Sequence, residues 1–326
     1  MNLLLLSEYI QLKIFSNVDS KSLFNVKLTC RRFYLIIEKN IHKMKRPKLC
    51  YIKLISNHIN YIKKPIRIQY KICNQSEETF CYHSSVHDRK VCFVDMVEYE
   101  KFLYNCDLTM LCHIQLDYHE NTDFIKLFNN CYDGNEYVES VVINNSAKIS
   151  KRNNRDILNF IYKVKNTNSM VLKKVILNNQ IHENYEFPVF SKLKYLQIEQ
   201  IGNHCCITRN SILSLINNSK NEFTLNFISN NINFVKEISR CFADNVGSHT
   251  KYICAEKSFE VILCLHKNFT LSRSSFFKNI LENNNFSVEN TNIENFDCVY
   301  IGRKKCCFSS TSSLIELRFC IFNIYV

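Results

Sequence analysis

Residues 111–116 read LCHIQL, with Leu111, Ile114 and Leu116 apolar and His113 and Gln115 set between the last three apolar-code positions. Side chains of a strand point alternately to its two faces, so Ile114 and Leu116 share one face and His113 and Gln115 the other. The same code (apolar, two residues, apolar, one residue, apolar) returns at Val138/Val141/Ile143, Leu172/Val175/Leu177 and Leu193/Leu196/Ile198. Late copies stand at Phe296/Val299/Ile301 and Leu314/Leu317/Phe319, with weaker ones through Leu225 and Phe227 and through Ile253. Between copies lie Phe124/Ile125/Phe128, Ile157/Ile161/Val164, Ile212/Leu215/Ile216 and Val235/Ile238/Phe242, spaced three or four apart as on one face of a helix. Short strands alternating with helices imply an α/β domain of mostly parallel strands with its helices on one side.

Outward from this core, Leu49 to Cys73 reads as two strands, and residues 94–104 as a helix with Val94, Val97 and Leu103 among its apolar positions. The clear copies start about 20–35 residues apart, near the range of leucine-rich repeats. The region is similar to a degenerate leucine-rich-repeat horseshoe, the other reading being an ordinary α/β domain whose strands share a short apolar code. The Asn that such repeats carry three residues after the last apolar position is Ser146, Gln180 and Ile201 here, while Asn144 and Asn178 come early. The residues between the apolar positions are expected to form one outer surface: His113 and Gln115, Ser140 and Val142, Lys174 and Ile176, Tyr195 and Gln197, Tyr300, and Glu316 and Arg318. Aromatic, apolar, amide and charged groups mixed in this way suit a protein interface, with Tyr195 as its best anchor.

Composition narrows the classes further. The 326 residues include 4 Gly, 3 Pro and no Trp, which excludes collagen-like and Pro-rich chains and any fold built on several glycine-rich phosphate loops. Of the formal net charge of +12, all lies in residues 1–73, which hold 15 basic and 3 acidic residues. Basic groups gathered so locally suit an acidic partner of that segment or a nuclear address at Lys43-Met44-Lys45-Arg46-Pro47-Lys48, against the plain reading of a solvated face. The 17 Cys, the lack of a secretory signal and of any long apolar run imply a reducing interior, cytoplasmic or nuclear, with no membrane span, no structural disulfide and no metal.

At the N-terminus, residues 7–41 read as three short helices. Leu6, Ile10, Ile14 and Val18 recur every four residues, and Phe15 widens their stripe. Asp19 and Ser20 are cap residues before a second helix carrying Leu23, Val26 and Cys30, and a third carries Phe33, Ile36 and Ile37. About 40 residues bury too little surface to be comfortable alone, so the module should lean on the rest of the chain, on a partner, or on both.

These residues resemble the F-box. Its pattern is met by Leu6, Ser7, Glu8, Tyr9 and Ile10, then Ile14-Phe15, Val18, Leu23, Thr29-Cys30 and Phe33, with every spacing kept. Departures are Ser7 for Pro, Tyr9 for Glu, Val18 for Leu, Thr29 for Val and Phe33 for Trp. The resemblance implies an F-box domain over residues 1–46 and a substrate-recognition domain over 47–326. It implies docking on a Skp-type adaptor, and through it on a cullin-RING scaffold, as the receptor subunit of an SCF-type ubiquitin ligase that recruits a protein substrate. It also implies no catalytic residue and no cofactor in this chain. Carried over by residue, the adaptor-facing candidates are Leu6, Ser7, Ile10, Ile14, Phe15, Val18, Leu23, Val26, Cys30 and Phe33, some of which must instead close the module's own core. The alternative is a nuclear nucleic-acid-binding or scaffold protein using the basic N-terminal segment; Phe15 and Phe33 lie in apolar stripes and so count against bases stacking there.

Motifs of known chemistries are missing: no Gly-x-Ser-x-Gly, no His-Glu-x-x-His, no phosphate loop and no Cys-x-x-Cys occurs. Cys73, Cys81, His83, His87 and Cys92 crowd thiol and imidazole groups together, at spacings that match no common zinc site. His204-Cys205-Cys206 puts a thiol beside an imidazole, but adjacent loop side chains seldom hold catalytic geometry. Arg303-Lys304-Lys305 reads as a solvated turn, with a small anion contact as its alternative.

Overall fold

The computed structural model describes residues 3–18, 20–56, 66–73, 89–93, 95–119, 122–146, 155–175, 192–199, 211, 214–215, 222–229, 231–248, 257–266, 275–291, 298–305 and 314–324. Three helices come first: α1 (Glu8–Phe15), α2 (Ser20–Thr29) and α3 (Arg31–Lys39). They close on Phe15, Leu23, Phe33, Ile36, Ile37 and Met44, with Phe15 and Phe33 edge to face at 5.1 Å. Ser7 caps α1 by accepting from the Ile10 N–H at 3.4 Å, and Cys30 separates α2 from α3 with an extended backbone.

The remaining elements form one twelve-stranded sheet and its helices. In chain order they are β1 (Leu49–Ser56), β2 (Ile66–Ile72), β3 (Arg89–Phe93), α4 (Met96–Tyr104), β4 (His113–Tyr118), α5 (Asp123–Cys131), β5 (Val138–Asn145), α6 (Arg155–Lys163), β6 (Thr167–Lys173), β7 (Tyr195–Glu199), β8 (Glu222–Ser229), α7 (Ile232–Ser248), β9 (Lys257–His266), α8 (Phe276–Asn283), β10 (Ser287–Thr291), β11 (Cys298–Lys305) and β12 (Leu314–Ile324). The spatial order is β10-β11-β12-β9-β8-β7-β6-β5-β4-β1-β2-β3. From β1 through β9 and on to β12 the neighbours in this order are parallel, while β2–β3 at one end and β10–β11 at the other attach antiparallel.

Helices α4–α8 and the inward side chains of the strands share one apolar core, so the described helices all lie on one face of the sheet. The inward code runs in register across neighbours: Ile52, Ile114, Val141, Met170, Leu196 and Leu225 lie side by side. Burial of such a row removes apolar surface from water, worth roughly 25 cal/mol per Å2, which is what holds the sheet to its helices.

Two strand readings need correction. The third copy is not Leu172/Val175/Leu177 but Thr167/Met170/Leu172, because Val141 pairs with Met170 and Ile143 with Leu172. Thr167 fills the first inward place, fully buried, with its hydroxyl donating to the Ser169 carbonyl at 3.0 Å. A polar residue there hides the code, and the apolar Val175 and Leu177 imitate it one step later. With the phase restored, copies begin at Leu111, Val138, Thr167 and Leu193, that is 27, 29 and 26 residues apart. In β11 the faces are exchanged: Tyr300 points to the helices and packs on Phe277 at 5.6 Å, while Val299 and Ile301 lie on the other face with Cys320. This strand is antiparallel to β12, and Gly302 sits so close under α8 that a Cβ would meet Leu281 Cδ2 at 2.8 Å. The weak copy expected through Ile253 and the helical positions Ile212 and Ile216 lie outside the described residues.

Candidate interaction surfaces

The N-terminal module keeps a large part of its apolar surface outside. In α1 the buried positions are Gln11 and Phe15, so the four-residue stripe of Ile10 and Ile14 turns outward, 44% and 36% exposed. Elsewhere on the module Leu5 is 83% exposed, Tyr9 73%, Leu28 72% and Phe24 61%, with Leu3, Leu4, Tyr34 and Leu35 also exposed. So many exposed large apolar groups on one small module mark it as a site of interaction.

Polar side chains hold the first turn in place. Gln11 is fully buried, and its Nε2 donates to the carbonyls of Leu3 at 2.7 Å and Leu6 at 3.0 Å. Arg32 of α3 donates from Nη1 to the Leu4 carbonyl at 3.0 Å and from Nη2 to the Leu6 carbonyl at 3.4 Å. With the backbone tied inward through its carbonyls, the leucine side chains of the Leu3–Leu5 turn are left to face solvent.

Residues 3–45 match the F-box domain. An F-box domain implies a role as adaptor subunit of an SCF-type ubiquitin ligase; such domains bind Skp-type adaptors, and proteins carrying them are generally non-catalytic substrate receptors. Comparison with curated proteins and with solved structures found no match. Within the F-box domain the ten candidates separate into two groups. Phe15, Leu23 and Phe33 are buried in the module's core, and Val18, Val26 and Cys30 pack partly against it. Ser7, Ile10 and Ile14 are exposed and Leu6 is half-buried. Sequence reasoning missed Leu5, Tyr9, Phe24 and Leu28, which face solvent, and Gln11 and Arg32, which position the first turn. The sign that could have found Gln11 was its place beside Phe15 on the inner face of α1.

The face of the sheet turned away from the described helices, with half-buried side chains along its middle strands, is the second surface. His113, Ser140, Ser169, Tyr195 and Thr224 are paired side by side across it, and Gln115, Val142, Val171, Gln197 and Asn226 form the next row. Lys174 does not belong to these rows: it follows the end of β6 with φ 55° and pairs with Glu199 at 3.8 Å. Its neighbour Ile176 lies outside the described residues, and Tyr300 faces the helices, so the third copy contributes Ser169 and Val171 instead. The Tyr195 hydroxyl is already engaged, donating to Gln197 Oε1 at 2.9 Å and accepting from Asn226 Nδ2 at 3.2 Å. Burial holds His113 below the usual histidine range, opposed by Glu139 and aided by Lys71, which favours the neutral ring.

At the far end of this face Arg303 bridges Glu316 at 2.9 Å and Glu289 at 2.6 Å, and Arg318 meets Glu316 at 2.5 Å. Arg303-Lys304 is therefore part of strand β11, and the expected turn is corrected to an ion network that the pairing with β10 and β12 assembles. Burial pushes Glu316 up, but its hydrogen bonds from Arg303 and Arg318 prevail and hold it below the usual carboxylate range. Burial pushes the Cys106 and Cys320 thiols up to about 12, so neither offers a thiolate near neutral pH. Among the described residues no group of three His, Cys, Asp or Glu could hold a metal ion, and no helix is long and apolar enough to cross a membrane. Cys81, His83 and His87, like His204, Cys205 and Cys206, lie outside the described residues.

Proposed function

We propose that the chain is the substrate-receptor subunit of an SCF-type ubiquitin ligase working in the cytoplasm or nucleus. Residues 1–46 dock on a Skp-type adaptor and through it on a cullin-RING scaffold, and residues 47–326 hold a protein substrate on the outer face of a leucine-rich-repeat-like sheet. Such a receptor makes and breaks no bond. It raises the effective concentration of a substrate lysine beside the conjugating enzyme, which is a proximity effect.

The observation that carries this reading is the F-box match over residues 3–45, on a module whose Ile10 and Ile14 stripe lies outside its own core. The regular spacing of the restored strand code and the one-sided helix layer support the repeat-like reading of the sheet. The test is co-purification with a Skp-type adaptor. Truncating one apolar anchor of such an interface costs about 1–4 kcal/mol. Ile10→Asp with Ile14→Asp should therefore abolish the complex while circular dichroism shows the sheet intact. Adaptor recovered at wild-type levels with that double variant would refute the assignment.

A further inference from the structure

The excess positive charge of residues 1–73 does not all end on the helices. Part of it is carried by the antiparallel end of the sheet. On β1 the side chains of Tyr51, Lys53 and Ile55 alternate with the core residues Ile52 and Leu54, so they stand, half-buried, on the face away from the helices. Cross-strand partners share a face, which places Lys71 beside Tyr51, Gln69 beside Lys53 and Arg67 beside Ile55. The next strand adds Lys90 beside Gln69 and Cys92 beside Arg67.

Among the described residues, two carboxylates on this face near the patch are already committed. Asp117, opposite Ile55 on β4, is held by Lys53 at 2.9 Å and by Gln115 Nε2 at 3.1 Å. Glu139 accepts from the Tyr137 hydroxyl at 2.6 Å and from Asn168 at 3.1 Å. Among the described residues Arg67 and Lys90 make no ion pair. Lys71 lies over the Tyr51 ring at 5.8 Å. The other end of the same face differs, because there Arg303 and Arg318 are matched by Glu289 and Glu316.

We propose that the face of β1–β3 turned away from the helices is a docking site for an extended, acidic segment of a protein substrate, with Arg67, Lys71 and Lys90 as its cationic contacts. This names the substrate class for the receptor role above and rests on that reading. The spacing argues for an extended chain: Arg67 and Lys71 are four residues apart on one strand, about 13 Å, and Lys90 lies one strand over and midway between them. Carboxylates two residues apart in an extended chain are about 7 Å apart and so reach neighbouring cations. Tyr51 and Ile55 supply apolar contact between the charges, and Gln69 supplies an amide. Among the described residues the patch is small and square rather than a long stripe, which fits a short acidic segment better than a nucleic-acid backbone.

The probe is a fluorescein-labelled peptide of alternating glutamate and threonine, titrated with the full chain and followed by anisotropy. It should bind, and binding should weaken as salt is raised. Arg67→Glu with Lys90→Glu should weaken it by about tenfold or more. Lys126→Glu with Lys278→Glu, the same charge change on helices α5 and α8, should change it less than twofold. No binding by wild type, equal losses in the two variants, or tighter binding of a DNA duplex or of phosphatidylserine vesicles at the same salt would each overturn the proposal. Adaptor co-purification is run in parallel on wild type and on Arg67→Glu with Lys90→Glu. Adaptor bound but no peptide bound refutes the docking site alone; peptide bound but no adaptor refutes the receptor role and leaves an acidic-segment site standing.

Discussion

Gln11 decides how the docking module presents itself. It is a polar residue in a core of Phe15, Phe33, Ile36 and Ile37, and its amide is spent on the Leu3 and Leu6 carbonyls. Among the described residues its Oε1 has no hydrogen-bond partner, so the residue does not have there the full complement a buried amide could make. What it secures is an ordered leucine turn before any partner arrives, which spares binding the cost of ordering it, about 0.5–1.5 kcal/mol for each immobilised side chain. Gln11→Ala should therefore weaken adaptor binding several-fold in titration calorimetry, with a less favourable entropy and only a small fall in melting temperature. Ser7→Pro is the contrast: Ser7 already has φ −61°, which proline adopts freely, and loses only a long cap hydrogen bond. Its affinity should stay within about twofold of wild type. Of this site the apolar stripe of Leu6, Ile10 and Ile14 was legible in the sequence, but its direction was not. A four-residue period marks an apolar face without saying whether the chain or a partner covers it, and the neighbouring Gln11 and Phe15 took the inside.

Among the elements, the parallel strands were legible where apolar residues filled all three places of the code, as at Leu111/Ile114/Leu116 and Leu193/Leu196/Ile198. They became misread where packing used something else: Thr167 with its own hydrogen bond in β6, or the antiparallel return of β11 that puts Tyr300 under α8. Connections carry information too. Gly134, between α5 and β5, has φ +86°, and a Cβ there would come within 2.3 Å of the Lys163 carbonyl oxygen at the end of α6. Lys163 itself reaches back, its Nζ donating to the Tyr132 carbonyl at 2.9 Å. The turn and the helix end are thus fitted against each other through backbone atoms that cannot yield cheaply. Gly134→Ala should cost about 2–4 kcal/mol in urea unfolding, combining an unfavourable backbone region with a forced separation of α5 and α6. A loss below about 0.5 kcal/mol would show that the two connections move independently.

On the scale of the whole molecule, the F-box core and the main core of the sheet differ greatly in size and share no buried residue. The F-box core holds six buried apolar residues, whereas the sheet core runs without a break from Leu49 to Ile321. The junction between them is polar and backbone-made: the Arg46 guanidinium donates to the Tyr104 carbonyl at 3.2 Å, Lys101 meets Glu38 at 3.9 Å, and the backbone of Asp107 bonds to Pro47 and Leu49 at 2.9 Å each. Contacts of this kind orient the module but bring little apolar burial, and an exposed ion pair contributes about 0–1 kcal/mol. A module of that size with Leu5, Tyr9, Phe24 and Leu28 in water should open well below the free energy that unfolds the sheet. Hydrogen exchange read by mass spectrometry should find α1–α3 exchanging faster than β4–β8 in the free chain. Adaptor binds the closed module and not the open one, so it should slow exchange in α1–α3 alone, by up to about 2.7 kcal/mol at a hundred times its dissociation constant. Equal protection of helices and sheet in the free chain would mean that the two cores unfold as one. The polar junction would then couple them far more strongly than its few contacts allow.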